Sequence, residues 1–247
     1  MIPKKIHYVW VGGNPFPNAF QKYVETWQKF CPDYEIIRWD ESNFDINQNR
    51  FCKEAYDSKK WAFVADYMRI KILYDHGGIY LDSDAEVVQN LDRFLDEKTI
   101  TGFEGLFVGA CLIGAENGSI WLEKCLEVYE NKKFILENGE LDLESNVKLF
   151  TEVTKKMYPD LKLDGSFQKF SAFTLYPNEY FSPIEYDRKK PNPNTYTIHH
   201  FAGTWLPRKK FSTKIKFFIK KVIGAERASK IVMKNRKKEL EKEEDNE

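Results

Sequence analysis

The chain has 247 residues, of which 42% are hydrophobic and 15% aromatic, and its 38 basic and 38 acidic side chains give a formal net charge of zero. Such a composition fills the core of one large domain or two small ones and excludes a disordered chain. Ten prolines and 13 glycines are too few for a linker-rich protein, and no apolar run approaches the roughly 18 residues of a membrane span. In chain order, residues 5–10 are rich in β-branched and aromatic types and predict a first strand, broken by Val11-Gly12-Gly13-Asn14-Pro15. Residues 18–30 carry Phe20, Val24, Trp27 and Phe30 at helical spacing. A second strand over 34–39 is closed by Asp40. The clearest helix is 60–76, stopped by Gly77-Gly78. The strand 79–81 follows, then Asp82-Ser83-Asp84, then a short strand around Val87-Val88. Strands near 98–103 and 106–113, helices near 118–131 and 145–157, and a late strand over 196–201 complete the set. Strands alternating with helices over the first 90 residues predict an α/β fold with a largely parallel sheet and helical crossovers.

Asp82 and Asp84 are the most informative residues. Side chains alternate along a strand, so two carboxylates one residue apart at a strand tip point the same way and can share a hard divalent cation. The competing account is a solvated turn with two exposed acids. In open α/β sheets ligands sit beyond the carboxyl ends of strands, and Trp10, Asp40 and Asp82 each fall at such an end. Asp66 and Arg69 lie three apart on the helix 60–76, hence on one face. They read either as an intrahelical ion pair or, since the helix is otherwise so apolar, as a pair buried against a ligand. His199 and His200 end the late strand. Only one of two adjacent strand residues can face the site, and the sequence favours His200 for the cation.

The ordered set Ile-His-Tyr-Val-Trp-Val-Gly-Gly (6–13), Trp39-Asp40, Ala65-Asp66-Tyr67-Met68-Arg69 and Gly77-Gly78-Ile79-Tyr80-Leu81-Asp82-Ser83-Asp84 resembles the Asp-X-Asp enzymes of glycosyltransferase family 32. That family includes capsular polysaccharide enzymes, the glucosyltransferase domain of large clostridial toxins and yeast initiating α-mannosyltransferases. The stretch His199-His200-Phe201-Ala202-Gly203-Thr204-Trp205 is similar to its His-His-X-X-Gly-Ser-Trp element, with Thr204 where Ser is usual. The resemblance covers about residues 1–207. It implies a GT-A fold with a central mixed, mostly parallel sheet, a Mn²⁺ or Mg²⁺ ion, and retention of the donor sugar's anomeric configuration. The donor would be a sugar nucleotide, a UDP-sugar favoured and GDP-mannose open.

By resemblance Asp84 is the direct metal ligand, and Asp82 touches the ribose, or the metal through water. Asp66 accepts from sugar hydroxyls, and Arg69 contacts the sugar or diphosphate with its donor fork. Trp10 stacks on the base, with the adjacent backbone at Val9 reading its edge, or is an ordinary core residue. Tyr80 supports the same pocket or simply packs, and Asp40 sits near the nucleoside. Thr204 and Trp205 close over the diphosphate, with a core anchor as the other account of Trp205. Cys111 departs from the more polar residues expected in its stretch. No carboxylate stands out as a nucleophile, which favours the same-face route to retention, with no general base named.

The neutral total hides an asymmetry. Residues 208–238 hold 13 Lys or Arg against Glu226, residues 239–247 are acidic, and residues 1–207 carry a net −7. Residues 208–247 therefore form a second unit, a basic amphipathic tail able to lie on an anionic bilayer or to pack as a solvated helix. The acidic body opposes nucleic-acid binding. The four cysteines match no zinc or Cys-X-X-Cys spacing, and Met1 to Lys5 run into a strand and not a signal core. The expectation is a cytoplasmic enzyme with reduced thiols, peripheral on the inner face of the plasma membrane, extending a surface or capsular glycan on a lipid-linked acceptor. Its alternatives are a toxin-like enzyme acting on protein and a non-catalytic sugar-nucleotide-binding protein. A nucleotidyltransferase would need a basic glycine-rich N-terminal loop, and residues 11–15 hold no Lys or Arg.

Overall fold

Over residues 5–81 each strand is followed by at least one helix before the next. The first strand, β1 (Lys5–Val9), leads through α1 (Asn18–Phe30) to β2 (Glu35–Trp39). Two further helices, α2 (Arg50–Asp57) and α3 (Trp61–His76), lead to β3 (Gly78–Leu81). Such crossovers force parallel pairing, and β1 lies between β2 and β3, parallel to both. α1 buries Phe20, Tyr23, Val24 and Trp27, the stripe expected from its spacing, and the Trp27 indole donates to the Ala85 carbonyl at 2.8 Å. α2 was not expected; Asn49 caps it by accepting from the Cys52 N–H.

Beyond β3 come β4 (Ala85–Val87), β5 (Thr99–Glu104), β6 (Phe107–Ala115), α4 (Ile120–Asn131), α5 (Asn146–Met157), β7 (Gln168–Lys169), β8 (Thr174–Tyr176), α6 (Asn178–Phe181) and β9 (Thr197–His199). This computed structural model describes residues 1–183 and 192–202. Thr204, Trp205 and the tail from residue 208 lie outside the described residues. The main sheet runs β2-β1-β3-β6-β5-β8-β7, and β4 pairs with β9 in a second, two-stranded sheet. The sheet is mixed, but not mostly parallel: β3–β6, β6–β5 and β8–β7 are antiparallel. β5 and β6 are separated only by Gly105 and Leu106, a hairpin too short for a parallel crossover. The two-residue β7, three-residue β8 and four-residue α6 were not anticipated either.

Two buried clusters cover the faces of the sheet. One holds α2, α3, α4 and α5 residues with Tyr80, and the other holds α1 residues with Ile79 and Leu81. α3 is buried nearly all round, with Val64, Met68, Ile70 and Leu73 fully enclosed. Its end needs glycine. Gly77 and Gly78 have φ of 61° and 110°, and a Cβ on Gly78 would sit 2.8 Å from the His7 ring.

His7 is fully buried under that glycine. The Trp39 indole N–H donates to its Nδ1 at 3.0 Å, and its Nε2 lies 2.9 Å from the Gly77 carbonyl. Only a neutral imidazole with the proton on Nε2 serves both partners; a second proton on Nδ1 would face an N–H. Burial, the largest influence, pushes its pKa down to about 4 from 6.5. The folded value is depressed, so His7 gives its full stabilisation above pH 6.5, and that contribution is lost as pH falls towards 4. The shift corresponds to about 3 kcal/mol. Titrating the imidazole by NMR should give a midpoint below 5 or acid unfolding first; an ordinary midpoint near 6.5 in the folded protein contradicts it.

Candidate active site

Parallel pairing brings the carboxyl ends of β1, β2 and β3 to one edge of the sheet, and Trp10, Asp40 and Asp82 arrive there together. Trp10 is held from two sides. Its indole donates to the Asn14 carbonyl at 2.8 Å, and Phe16 and Phe20 meet it nearly edge-on. Val9 is a buried core residue in register with Trp39. Asp40 is engaged within its own turn. One oxygen accepts from the Ser42 N–H and hydroxyl, and the other lies 3.3 Å from Arg38 Nε. It is the turn chemistry of Asp, and the Ser42 bonds hold its pKa below the usual range. Its neighbour Glu41 reaches the glycine loop, accepting from the Gly12 N–H and the Tyr56 hydroxyl.

The Asp pair does not continue the strand. β3 ends at Leu81, and the Ala85 N–H donates to the Asp82 carbonyl, closing a turn. Both carboxylates nevertheless converge on one imidazole. His199 Nε2 is 3.8 Å from Asp82 Oδ2 and 3.4 Å from Asp84 Oδ1. The choice of His200 is therefore corrected. β9 pairs antiparallel with β4 so that His199 stands opposite Ala85, and alternation turns His200 to the other side. There His200 bonds Glu86 at 2.8 Å and stacks on Tyr23. The Ala202 N–H donates to Asp84 Oδ2 at 2.7 Å, tying the end of β9 to the turn.

Behind the turn, Arg69 joins the helix to the strand tip. Its Nη2 donates to Asp66 Oδ1 at 2.9 Å, and its Nη1 lies 3.1 Å from Asp82 Oδ1 and donates to the Ala110 carbonyl at 2.9 Å. Nε donates to Ala65 O at 3.3 Å. Arg69 is thus an internal positioning residue first. Tyr80 lies beneath it, with the guanidinium 4.7 Å from the ring centre and the hydroxyl donating to Asp82 Oδ1 at 3.2 Å. Asp66 also accepts from Asn146 Nδ2 at 2.7 Å, again on Oδ1.

Burial dominates the electrostatics. It lifts the Asp66 carboxyl to about 7 against the pull of Arg69, and raises Asp82 although Arg69 and His199 oppose it. Asp84 goes the other way: despite burial, His199 and the Ala202 N–H hold it below the usual range. His199 is held well above 6.5 because Cys111, Asp84 and Glu104 outweigh its burial.

Two residues of the site were missed. Asn146 opens α5, where nothing local marks it. Glu104 ends β5; its Oε1 accepts from the N–H groups of Ala110 and Cys111 and lies 3.9 Å from His199 Nδ1. An acid ending so apolar a strand was the available signal. His199 was named but not chosen. The site fits a divalent cation: two carboxylates converge on an imidazole whose buried Nδ1 has no hydrogen-bond partner among the described residues. Asp82, Asp84 and His199 would hold the ion.

Residues 17–101 match the family described as the glycosyltransferase sugar-binding region containing the DXD motif. The span includes Asp66, Arg69, Asp82 and Asp84. An uncharacterised glycosyltransferase of Acanthamoeba polyphaga mimivirus is 38% identical over 101 residues, 38% of this chain and 40% of that protein. Inositol phosphoceramide mannosyltransferase 3 of Schizosaccharomyces pombe is 40% identical over 102 residues, 38% of this chain and 27% of the relative. The aligned part thus spans well under half of either relative. Among solved structures, PaToxG glycosyltransferase superposes with a TM-score of 0.50 at 17% identity, covering 65% of this chain and 71% of that one. The mixed sheet flanked by helices is the expected GT-A type of fold. With the Asp82-Ser83-Asp84 turn inside the matching segment, residues 17–101 are similar to the sugar-binding region of glycosyltransferases that contains the DXD motif.

Proposed function

We propose that this chain moves a sugar from a nucleoside-diphosphate donor to a glycan acceptor, with retention of configuration and with a divalent cation at Asp82 and Asp84. The observation that carries the proposal is the Asp66–Arg69–Asp82 chain, with Asp66 and Arg69 buried and Asp82 partly exposed, in which one guanidinium couples a helix carboxylate to the cation-binding turn. A diphosphate needs charge neutralised where the glycosidic bond breaks, and bound Mn²⁺ or Mg²⁺ supplies that. The remaining work falls to side chains. Both protein bonds to Asp66 fall on Oδ1, which leaves Oδ2 for sugar hydroxyls. With its pKa near 7, the group accepts or donates as the hydroxyl requires. Arg69 and Tyr80 fix Asp82, and Trp10 offers a ring for the base at the end of β1.

Retention fits the same-face route, in which the leaving diphosphate takes the acceptor proton and no protein nucleophile is needed. UDP-sugars are the favoured donors, with GDP-mannose the next to test. The acceptor is a surface or capsular glycan on a lipid carrier. The basic stretch 208–238 supports a peripheral place on the anionic inner face of the plasma membrane.

Release of nucleoside diphosphate, measured for a panel of sugar nucleotides with Mn²⁺, Mg²⁺ or chelator, tests this without the acceptor. Slow hydrolysis of one donor, present with a cation and absent with chelator, is the expected result. Failure to turn over or bind any nucleotide would sink the proposal and leave a non-catalytic scaffold.

A further inference from the structure

The site holds a donor that hard cations do not use. A carboxylate oxygen of Asp82, the thiol sulfur of Cys111 and a ring nitrogen of His199 all lie within 4.8 Å of one another. Cys111 is buried in β6, directly beside the turn: the Asp82 N–H donates to the Cys111 carbonyl at 2.9 Å. No sequence pattern announced the trio, because its members are 29 and 88 residues apart and sit on three elements brought together by the sheet pairings.

Mg²⁺ demands near-octahedral oxygen ligation, and thiolate ligands select softer ions. Zinc takes sulfur at about 2.3 Å and nitrogen at about 2.0–2.1 Å in a tetrahedron, which spaces its donors about 3.6 Å apart. His199 Nε2 is already 3.8 Å from Asp82 Oδ2 and 3.4 Å from Asp84 Oδ1. The other Asp82 oxygen is engaged by Arg69 and Tyr80, and the other Asp84 oxygen by the Ala202 N–H, so each acid keeps one oxygen directed at the imidazole. The second nitrogen of His199 is buried, without a hydrogen-bond partner among the described residues, and 3.9 Å from the Glu104 carboxylate. Metal-bound histidines commonly donate their second N–H to a carboxylate.

We propose that Asp82, Cys111 and His199 form a three-ligand site, with the fourth position open, for a borderline-soft divalent ion, Zn²⁺, that binds more tightly than Mn²⁺ and displaces it. The inference rests on the reading of the Asp82–Asp84 turn as the cation site. It adds the thiol as a ligand and zinc as the preferred, competing ion. On binding, the Cys111 S–H bond breaks, the sulfur keeps the electron pair for the metal, and the proton leaves to solvent.

Cobalt(II) reports such a site directly, because a thiolate ligand gives a charge-transfer absorption that oxygen and nitrogen ligands do not. The metal-free full chain, titrated with Co²⁺, should develop that band at one ion per chain, and Zn²⁺ should abolish it. Cys111→Ser and Cys111→Ala should both lose the band and weaken Zn²⁺ binding by more than about 100-fold, beyond the usual effect of removing an outer partner. Circular dichroism of the variants checks that they are folded. Cys31, Cys52 and Cys125 remain in both variants as internal controls. A missing band, or one that survives in either variant, overturns the proposal. Mn²⁺-dependent nucleotide binding is measured alongside: if it is present without the cobalt band, the thiol site alone has failed. If the band appears without nucleotide binding, the thiol site stands and the transferase has failed.

Discussion

Asp84→Ala lowers cation-dependent release of nucleoside diphosphate by about 100-fold or more while the chain stays folded. Asp84 is the carboxylate most ready for a cation. Its pKa lies below the usual range, and its free oxygen faces His199 at 3.4 Å. What the substitution removes from the fold is one bond from the Ala202 N–H and the 3.4 Å contact with His199, which keeps Asp82 and Glu104 as carboxylate neighbours. A lost bond of that kind costs about 1 kcal/mol, since water can replace it. Turnover and Mn²⁺ binding should therefore collapse together, with the melting temperature nearly unchanged. A variant that keeps more than a tenth of the turnover removes Asp84 from the cation site.

Arg69→Met has the largest expected effect on stability, a loss of about 3–5 kcal/mol read by denaturant unfolding. The native guanidinium is nearly enclosed and serves Asp66, Asp82 and the Ala110 carbonyl together. Methionine has a similar volume, so packing survives and the cost is electrostatic: the buried Asp66 and the partly exposed Asp82 lose their counter-charge and a carbonyl loses its donor. The variant should become most destabilised above neutral pH, where Asp66 and Asp82 carry full charge. Adding Asp66→Asn should recover part of the loss, as expected when the penalty is an unpaired charge. A single-variant loss below 1 kcal/mol would mean that the cluster is solvated and not buried.

Much of the site was legible because its chemistry is local. Asp82, Asp84, Asp66 and Arg69 lie in short segments whose periodicity places them without knowledge of the fold. The helix spacing put Asp66 and Arg69 on one face, and the apolar surroundings marked them as buried; the structure shows that pair at 6% and 13% side-chain exposure. Asp40 misled because the same residue type serves turns and ligands equally well. The parity of His199 and His200 was out of reach, since it depends on the register of β9 against β4, and that register is set by a partner 110 residues away or more.

The sequence by itself determined the α/β class, nearly every long element, the glycine stop beneath α3 and the carboxylates of the DXD turn. These follow from hydrophobic period and backbone preference, which act over a few residues. Only the tertiary structure decided that half of the main-sheet pairings are antiparallel, that His199 faces the Asp pair, and that Glu104, Cys111 and Asn146 complete the site. Each of those depends on which strand or helix lies beside which, and such pairings are chosen by burial of the whole sheet on both faces, not by any one segment.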